Sequence, residues 1–442
     1  MGARLDSAGL GWIERRSGKQ CSALGYAEQV RILVLGSGAR EHAIITCLLG
    51  ERADHEITAA PGNAGIAAVV PVVALDPTRG DVVTNYAIDN DIELVVIGPE
   101  APLVAGVADK LRQRGIAVFG PGKAAAALEG SKTFAKRIMD EAGVPTGQAT
   151  RAGTLAEAVT AIDEYGAPYV VKADGLAAGK GVLVTPDRAA AIAHAEYWLK
   201  QGSVLVEEFL AGQEVSLFLL SDGHSVLPLA PAQDYKRAFD HDEGPNTGGM
   251  GAYSPLPWLP DGFVDEVIDT IALPTVRQLA SEQTPFIGLL YCGLIATKHG
   301  IRVIEFNARF GDPETQVVLP RLLTPLSGLL FAAATGSLAS LPRPEFSDDV
   351  AVTVVLASEG YPDNPIIGRP IHGLEDVRNV GIAHAATALV DGHFVATGGR
   401  VLSVVATGAD FATARRTAYD ALAKIHLEGG HYRTDIAERV AQ

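Results

Sequence analysis

One pattern repeats through residues 30–120 of this chain: a short apolar run, a loop bearing glycine, then residues at helical spacing. VRILVLG (30–36) is apolar up to its glycine, and SGAREHAIITCLLG follows with apolar residues on one helical face. EITAAPGN, DIELVVIGPE and IAVFGPG repeat the strand-then-loop arrangement, with the helical stretch APLVAGVADKLRQRG between the last two. Apolar runs without alternation are strands buried on both faces, and strands alternating with helices pair in parallel through crossovers. The pattern predicts an α/β, doubly wound parallel sheet over residues 30–130. The working loops of such a sheet lie at the carboxyl ends of its strands, here GSGAREHA, APGNAG, GPEAPL and FGPGK.

The rest of the chain reads as two further regions. Residues 131–350 begin with helix and strand alternation, including a lobe at about 152–210 built around the stretch VVKADGLAAGKGVLV (170–184), and turn strand-rich after 211. A long helix, FVDEVIDTIALPTVRQLASE, interrupts those strands. Residues 351–442 read as a small, separate α+β lobe. Residues 1–29 lack helical or strand periodicity and the apolar centre of a signal peptide. They read as a loose, disordered extension, or as sequence ahead of a true start at Val30.

Charge narrows the partners. With 36 basic and 52 acidic residues the net charge is −16, which argues against nucleic acid or an anionic membrane as partner. It leaves room for a small anion in a local basic pocket. The three cysteines, Cys21, Cys47 and Cys292, are too scattered for a disulfide framework or a zinc site, which fits a reducing, cytoplasmic location. No apolar run reaches the length of a membrane span.

Five segments carry candidate chemistry. GSGARE resembles a dinucleotide fingerprint, but Glu41 stands where the third glycine belongs and no acid ends the second strand. A tight strand–helix turn, or a small phosphate site with Arg40 and His42 as charge partners, fits better. GLAAGKG resembles a Walker loop with one residue too few, and a strand follows it rather than a helix. It is therefore a strand–loop–strand hairpin: the amides of Gly175, Ala178, Gly179 and Gly181 can fold over phosphate oxygens, with Lys172 as a fixed cation. The alternative is a surface hairpin with incidental lysines. In EFNARFGDPE, Glu305 and Asn307 are two apart on a strand and share a face, a pair of hard oxygen donors suited to magnesium, with Arg309 further along. VLVEEFLAGQE could be the hinge of a two-lobed nucleotide site, with Glu214 as the acid for ribose. The polar loop AQDYKRAFDHDEGPNTGGMGAYSP (232–255) is too long to be structureless without a use and reads as a substrate-binding flap.

Together these motifs resemble the ATP-grasp ligases, and within them the branch that joins glycine to 5-phosphoribosylamine. The resemblance runs from about residue 30 nearly to the end and includes GGRVLSVVA and HYRTDI in the tail; Ala39 and Cys292 depart from the pattern. It implies an amino-terminal substrate domain (30–130), a two-lobed ATP-grasp domain (131–350) and a small carboxyl-terminal domain (351–442). The reaction it implies is the second step of purine synthesis: ATP phosphorylates glycine, and the amine of phosphoribosylamine displaces phosphate from glycyl phosphate. In the same way it implies Lys132, Lys172, Gly175, Gly179, Lys180 and Gly181 on the ATP phosphates, Glu207 and Leu210 at adenine, and Glu214 at ribose. Glu305 and Asn307 would hold Mg²⁺ or Mn²⁺, and Arg309, with Lys172, would serve the phosphoryl transfer. Gly36, Gly38, Arg40, Glu41, His42, Asn63, Glu100, Asp234, Lys236, Arg237, Asn246, Gly249 and Asp312 would meet the two substrates. A monomer is expected, with a weak dimer as the alternative. The rivals are another ATP-grasp ligase, a nucleotide-binding regulator without chemistry, and an NAD enzyme; intact Glu305 and Asn307 count against the second and the missing glycine against the third.

Overall fold

The computed structural model describes residues 29–176 and 180–442. The expected extension up to residue 28, and Ala178 and Gly179 of the hairpin, lie outside the described residues. Four parallel strands form the amino-terminal sheet in the order Glu56–Pro61, Arg31–Gly36, Leu94–Ile97, Ala117–Phe119. Ile32, Leu33, Val34 and Leu35 are fully buried, as a strand covered by helices on both faces requires. The order reverses direction at Arg31–Gly36, so the crevice of the doubly wound sheet opens beyond Gly36 and Gly98.

The hairpin is a strand–loop–strand unit. Tyr169–Ala173 and Val182–Thr185 pair antiparallel inside a sheet ordered Ala149–Ala152, Val204–Glu207, Tyr169–Ala173, Val182–Thr185. Helices Leu155–Tyr165 and Arg188–Leu199 cover it through a small core of its own, rich in alanine. Below it, Val226–Pro228, Gln213–Asp222, Ile287–Thr297 and Gly300–Asn307 form a second antiparallel sheet. The long helix expected at 263–282 is present with a defect: Phe263–Val267 and Leu273–Ser281 are α-helical, and Ile268–Ala272 between them is a π turn. Pro274 explains it, since its ring lacks an N–H and crowds the carbonyl four residues back.

The carboxyl-terminal lobe is not separate. Its sheet runs Gln233–Asp234, Gly251–Ser254, Val350–Ala357, Arg400–Gly408, Gly381–His384, so both ends of the polar loop are strands of it. The loop is not structureless either: Arg237–Phe239 and Glu243–Asn246 pair with each other. Sequence spacing could not show that Gly251–Ser254, carrying Gln233–Asp234 on its other edge, would pair with a strand beginning at Val350. A continuous apolar core joins Leu33 and Val95 of the first sheet, Val215 and Leu290 of the second, and Val352 and Val404 of the third.

Candidate active site

The three regions meet around a cavity of about 880 Å³. On one side stand the strand ends of the first sheet. Gly36 has φ +131°, and a Cβ there would lie 2.5 Å from the Glu41 side chain. Gly98 is tighter still, at 2.0 Å. Glu41 is buried over these glycines, accepting hydrogen bonds from the Gly38 amide at 2.6 Å and from Arg40 Nε at 2.6 Å. A carboxylate thus fills the helix N-terminus where a dinucleotide would place its phosphates, which excludes that reading physically. It also alters the expected phosphate site, because this helix start is already satisfied by an anion.

His42 does not serve that site. Helical rotation of about 100° per residue turns it some 200° from Arg40. It faces the carboxyl-terminal lobe, where Nδ1 accepts from the His384 amide at 2.9 Å. Burial pushes His42 down to about 4 and His384 to about 3, so both are neutral at pH 7. His42 is a joint between regions rather than a charge partner.

The opposite wall carries lysines. Asp174, at the base of the hairpin, accepts from Ser131 Oγ at 3.1 Å, Thr133 N at 3.2 Å, Thr133 Oγ1 at 2.6 Å and Ser203 Oγ at 3.2 Å. That caps the helix Lys132–Glu141 and sets Lys132 beside the hairpin, with Nζ 3.4 Å from the Gly175 carbonyl. Lys172 is buried on its strand; its Nζ donates to the Ile304 carbonyl at 3.1 Å and pairs with Glu207 at 2.9 Å. Lys136, one turn after Lys132, reaches the same carboxylate at 3.4 Å. Burial lowers the pKa of Lys132 and Lys136 more than nearby acids restore it, while Lys172 and Lys136 outweigh burial and pull Glu207 down. Glu207 is thus a counter-ion as well as a hinge residue.

Glu305 and Asn307 line the cavity as their spacing predicts. Glu305 pairs in register with Gly293, where a Cβ would stand 3.1 Å from its Cγ. The described residues hold no cluster of three His, Cys, Asp or Glu that would enclose a metal. Two hard donors on an open wall beside three lysines suit a divalent cation that takes its other ligands from phosphate and water.

Between these walls sits Arg309. It pairs with Glu129 at 3.1 Å and Glu100 at 3.5 Å, and donates to the Phe310 carbonyl at 3.1 Å. Burial lowers its pKa, and the two carboxylates more than reverse that. Asp312, also on the wall, accepts from Gln316 at 2.9 Å and pairs with Arg400 at 3.3 Å. Arg400 donates to the Gly248 carbonyl at 2.6 Å, and the Gly248 amide donates to Tyr361 Oη at 2.9 Å. Asn63 caps the helix Ala64–Ala67 and donates to the Ser37 carbonyl at 2.8 Å and the His384 carbonyl at 2.7 Å. Asp234 is buried, pairs with Lys236 at 3.1 Å and is pushed up to about 7, by burial and by Glu314 and Glu214 against the pull of Lys236. Glu214 takes the other side of Lys236.

Gly36, Gly38, Arg40, Glu41, Asn63, Glu100, Lys132, Gly175, Gly181, Glu207, Asp234, Lys236, Glu305, Asn307, Arg309 and Asp312 all line this cavity. Lys172 stands behind the lining, held on the lining residues Glu207 and Ile304. Several sequence candidates stand off it. Lys180 is exposed, and Leu210 and Glu214 follow the strand Val204–Glu207 outside the lining. Arg237 turns to the Gly244 carbonyl at 2.7 Å, and Asn246 donates to the Val182 carbonyl of the hairpin at 3.1 Å. Gly249 lies behind the wall, against Pro313. Sequence reasoning missed Glu129, Lys136, Tyr291, Glu314 and Arg400. Of these only Lys136 had a local signal, its place four residues after Lys132.

A doubly wound sheet, a hairpin lobe over an antiparallel sheet, and one cavity shared by lysines and a Glu-x-Asn strand define an ATP-grasp ligase. Comparison with known proteins narrows this. Models of the phosphoribosylglycinamide synthetase N domain, ATP-grasp (A) domain and C domain match residues 30–129, 130–315 and 351–439. The phosphoribosylamine–glycine ligase of Leifsonia xyli subsp. xyli is 74% identical over 416 residues, covering 93% of this chain and all of that protein. The Streptomyces coelicolor enzyme of the same name is 56% identical, with 93% and 100% coverage. The crystal structure of phosphoribosylamine–glycine ligase from Thermotoga maritima superposes with TM-score 0.79 at 35% identity, over 92% of this chain and all of that one. The chain belongs to the phosphoribosylglycinamide synthetase family. Its activity is the ATP-dependent ligation of glycine to 5-phosphoribosylamine, the glycine-adding step of purine biosynthesis. The fold implies ATP together with a divalent metal. Among the described residues no helix is long and apolar enough to cross a membrane.

Proposed function

We propose that the two half-reactions take place in this one cavity, with the lysine wall holding ATP and the first sheet holding phosphoribosylamine. The reading rests on one observation: Lys132, Lys136, Glu305, Asn307 and Arg309 line the same cavity as Gly36, Gly38, Asn63 and Glu100, with Lys172 directly behind on Glu207. Lys132 and Lys172 take the ATP phosphates, and Gly175, Gly179, Lys180 and Gly181 close over them from the hairpin. The hinge backbone at Glu207 and Leu210 meets adenine, and Glu214 meets ribose. Glu305 and Asn307 hold Mg²⁺ or Mn²⁺, which when bound neutralises charge on the phosphates. Phosphoryl transfer needs such neutralisation and alignment more than an acid or base.

In the first half, a glycine carboxylate oxygen forms a bond to the γ-phosphorus as the bond to ADP breaks. In the second, the amine nitrogen of phosphoribosylamine bonds to the acyl carbon, phosphate leaves with the C–O bond electrons, and the amine gives up a proton. Arg309 steadies the acyl phosphate between the walls. Asp234, Lys236 and Asp312 enclose glycine, and the hairpin excludes water from the labile intermediate. The domains at 30–130, 131–350 and 351–442 serve as substrate, ATP-grasp and closing units of a cytoplasmic monomer.

Phosphate release from ATP, with glycine and freshly made phosphoribosylamine supplied together and each then omitted, tests the scheme. Release that requires both, and a covalent adduct trapped from glycine and ATP by hydroxylamine, is expected. Release from ATP and phosphoribosylamine without glycine would overturn the order.

A further inference from the structure

The tail motif HYRTDI (431–436) has no part in the chemistry above, yet its groups converge on the polar loop. Arg433 is 1% exposed, the largest of the fully buried side chains among the described residues. Its Nη1 donates to Asp242 at 2.8 Å and to the Arg237 carbonyl at 3.2 Å. Its Nε and Nη2 grip Asp435 at 2.8 and 2.6 Å, and its guanidinium lies 4.8 Å from the centre of the Tyr235 ring. The next residue continues the hold: the Thr434 amide and hydroxyl donate to Asp240 at 2.7 and 2.5 Å. Asp435 accepts from the His241 amide at 2.9 Å, and the Ala437 amide donates to Tyr235 Oη at 2.9 Å.

The loop needs an external hold. His241 and Asp242 sit at φ +59° and +58°, successive left-handed residues that both carry a Cβ. The strands Arg237–Phe239 and Glu243–Asn246 pair only with each other, with a register shift between Arg237 and Phe239. Within the ribbon the Arg237 guanidinium holds the Gly244 carbonyl, and the turn at 240–242 is held from outside by the tail, through Arg433, Thr434 and Asp435. The near end of the same loop forms the cavity wall. Lys236, Thr247 and Gly248 line it, and the Lys236 carbonyl accepts from the Thr247 amide at 2.7 Å and hydroxyl at 2.9 Å. A shift at the Arg237 carbonyl therefore moves Lys236 and Thr247 together.

We propose that Arg433 is a positioning residue for the ligation, fixing the loop 236–248 in the form that sets Lys236, Thr247 and Gly248 against the bound substrates. This rests on the reading that the loop meets glycine or phosphoribosylamine, so the test follows loop and kinetics separately. Arg433→Ala, Arg433→Lys and Asp242→Asn are compared with the unaltered enzyme by hydrogen exchange over 237–246, by steady-state kinetics and by direct ATP binding. In Arg433→Ala, exchange rises and KM for glycine or phosphoribosylamine rises about tenfold or more, because misplacement of this size is costly in a positioned site. The kcat falls less than KM rises, and ATP affinity holds. Arg433→Lys recovers part of the loss, since lysine keeps the charge but not the two-pronged grip. Asp242→Asn, on the exposed side of the pair, gives a milder version and carries the test if Arg433→Ala does not fold. Unchanged exchange would overturn the strap. Raised exchange with unchanged KM would sink the loop reading, and the positioning role with it. Equal loss of ATP affinity and KM would mark a general structural role and overturn the proposal.

Discussion

The two walls of the cavity are both largely removed from solvent and opposite in their electrostatics. On the lysine wall, burial wins: Lys132 and Lys136 are held below the ordinary lysine range even with Glu207 and Glu305 nearby. On the arginine wall, carboxylates win: Glu129 and Glu100 lift Arg309, and Asp312 lifts Arg400. The lysine wall is short of negative charge until an anion arrives. The arginine wall is already paired, each guanidinium set against carboxylates and carbonyls before any ligand binds, and of their nitrogens only Arg309 Nε is buried without a hydrogen-bond partner among the described residues. The difference suits a polyanion drawn in by charge on one side and a small acyl group held by geometry on the other.

The comparison can be broken first at the metal pair. Glu305→Ala should lower turnover by about 10³-fold or more, since a bound cation supplies several kcal/mol of charge stabilisation. Circular dichroism and the melting temperature should stay close to the unaltered enzyme. Normal turnover in that variant would remove Glu305 from the metal assignment.

Next comes Arg309. If its wall works by geometry, Arg309→Lys should cost about 10²-fold in kcat, because an ammonium cannot reproduce a planar fork. ATP affinity should change little, which isothermal titration would check. A comparable loss of ATP affinity would mean that the two walls are not distinct.

Glu207→Gln sharpens the contrast from the lysine side. It leaves Lys172 and Lys136 facing each other without their shared counter-ion. The ligand-free melting temperature should fall, ATP should restore most of it, and KM for ATP should shift by no more than about tenfold. An equal fall with and without ATP would mean that the wall's charge is balanced internally.

The smallest effect at neutral pH concerns a group outside both walls. His42 is held at about 4, below the ordinary histidine value of 6.5. As pH falls, the unfolded chain takes up the proton first, so stability is full above pH 6.5 and declines down to about pH 4. The loss attributable to His42 is of order 3 kcal/mol, with His384 adding to it. His42→Gln keeps an acceptor for the His384 amide and should flatten that decline in melting temperature while leaving pH 7.5 activity intact. An unchanged acid slope would count against the joint.

What the sequence made legible follows chain periodicity. Strand runs gave the parallel sheet and its working loops, and period-two alternation placed Glu305 and Asn307 on one face. A strand after GLAAGKG, in place of a helix, identified the hairpin. What stayed hidden depends on distant parts of the chain meeting. Glu129 and Arg400 reach Arg309 and Asp312 from regions 180 and 88 residues away, and no local pattern announces that. His42 sits two residues from Arg40 in sequence but not beside it in space, because the helix turns it to the far side, against His384. Glu41 reads from the sequence as a missing glycine and a substrate residue, and neither reading anticipates that its carboxylate closes the helix N-terminus.

The shared third sheet bears on how the protein is made. Its strand Gln233–Asp234 rests on Gly251–Ser254, which in turn rests on a partner that begins at Val350, and the turn between them is gripped by residues up to Ala437. During synthesis the hairpin lobe, with its own core, can settle early, whereas the flap must wait until nearly the whole polypeptide has left the ribosome. A nascent or prematurely terminated chain would therefore display the nucleotide pocket without the wall that commits ATP to ligation.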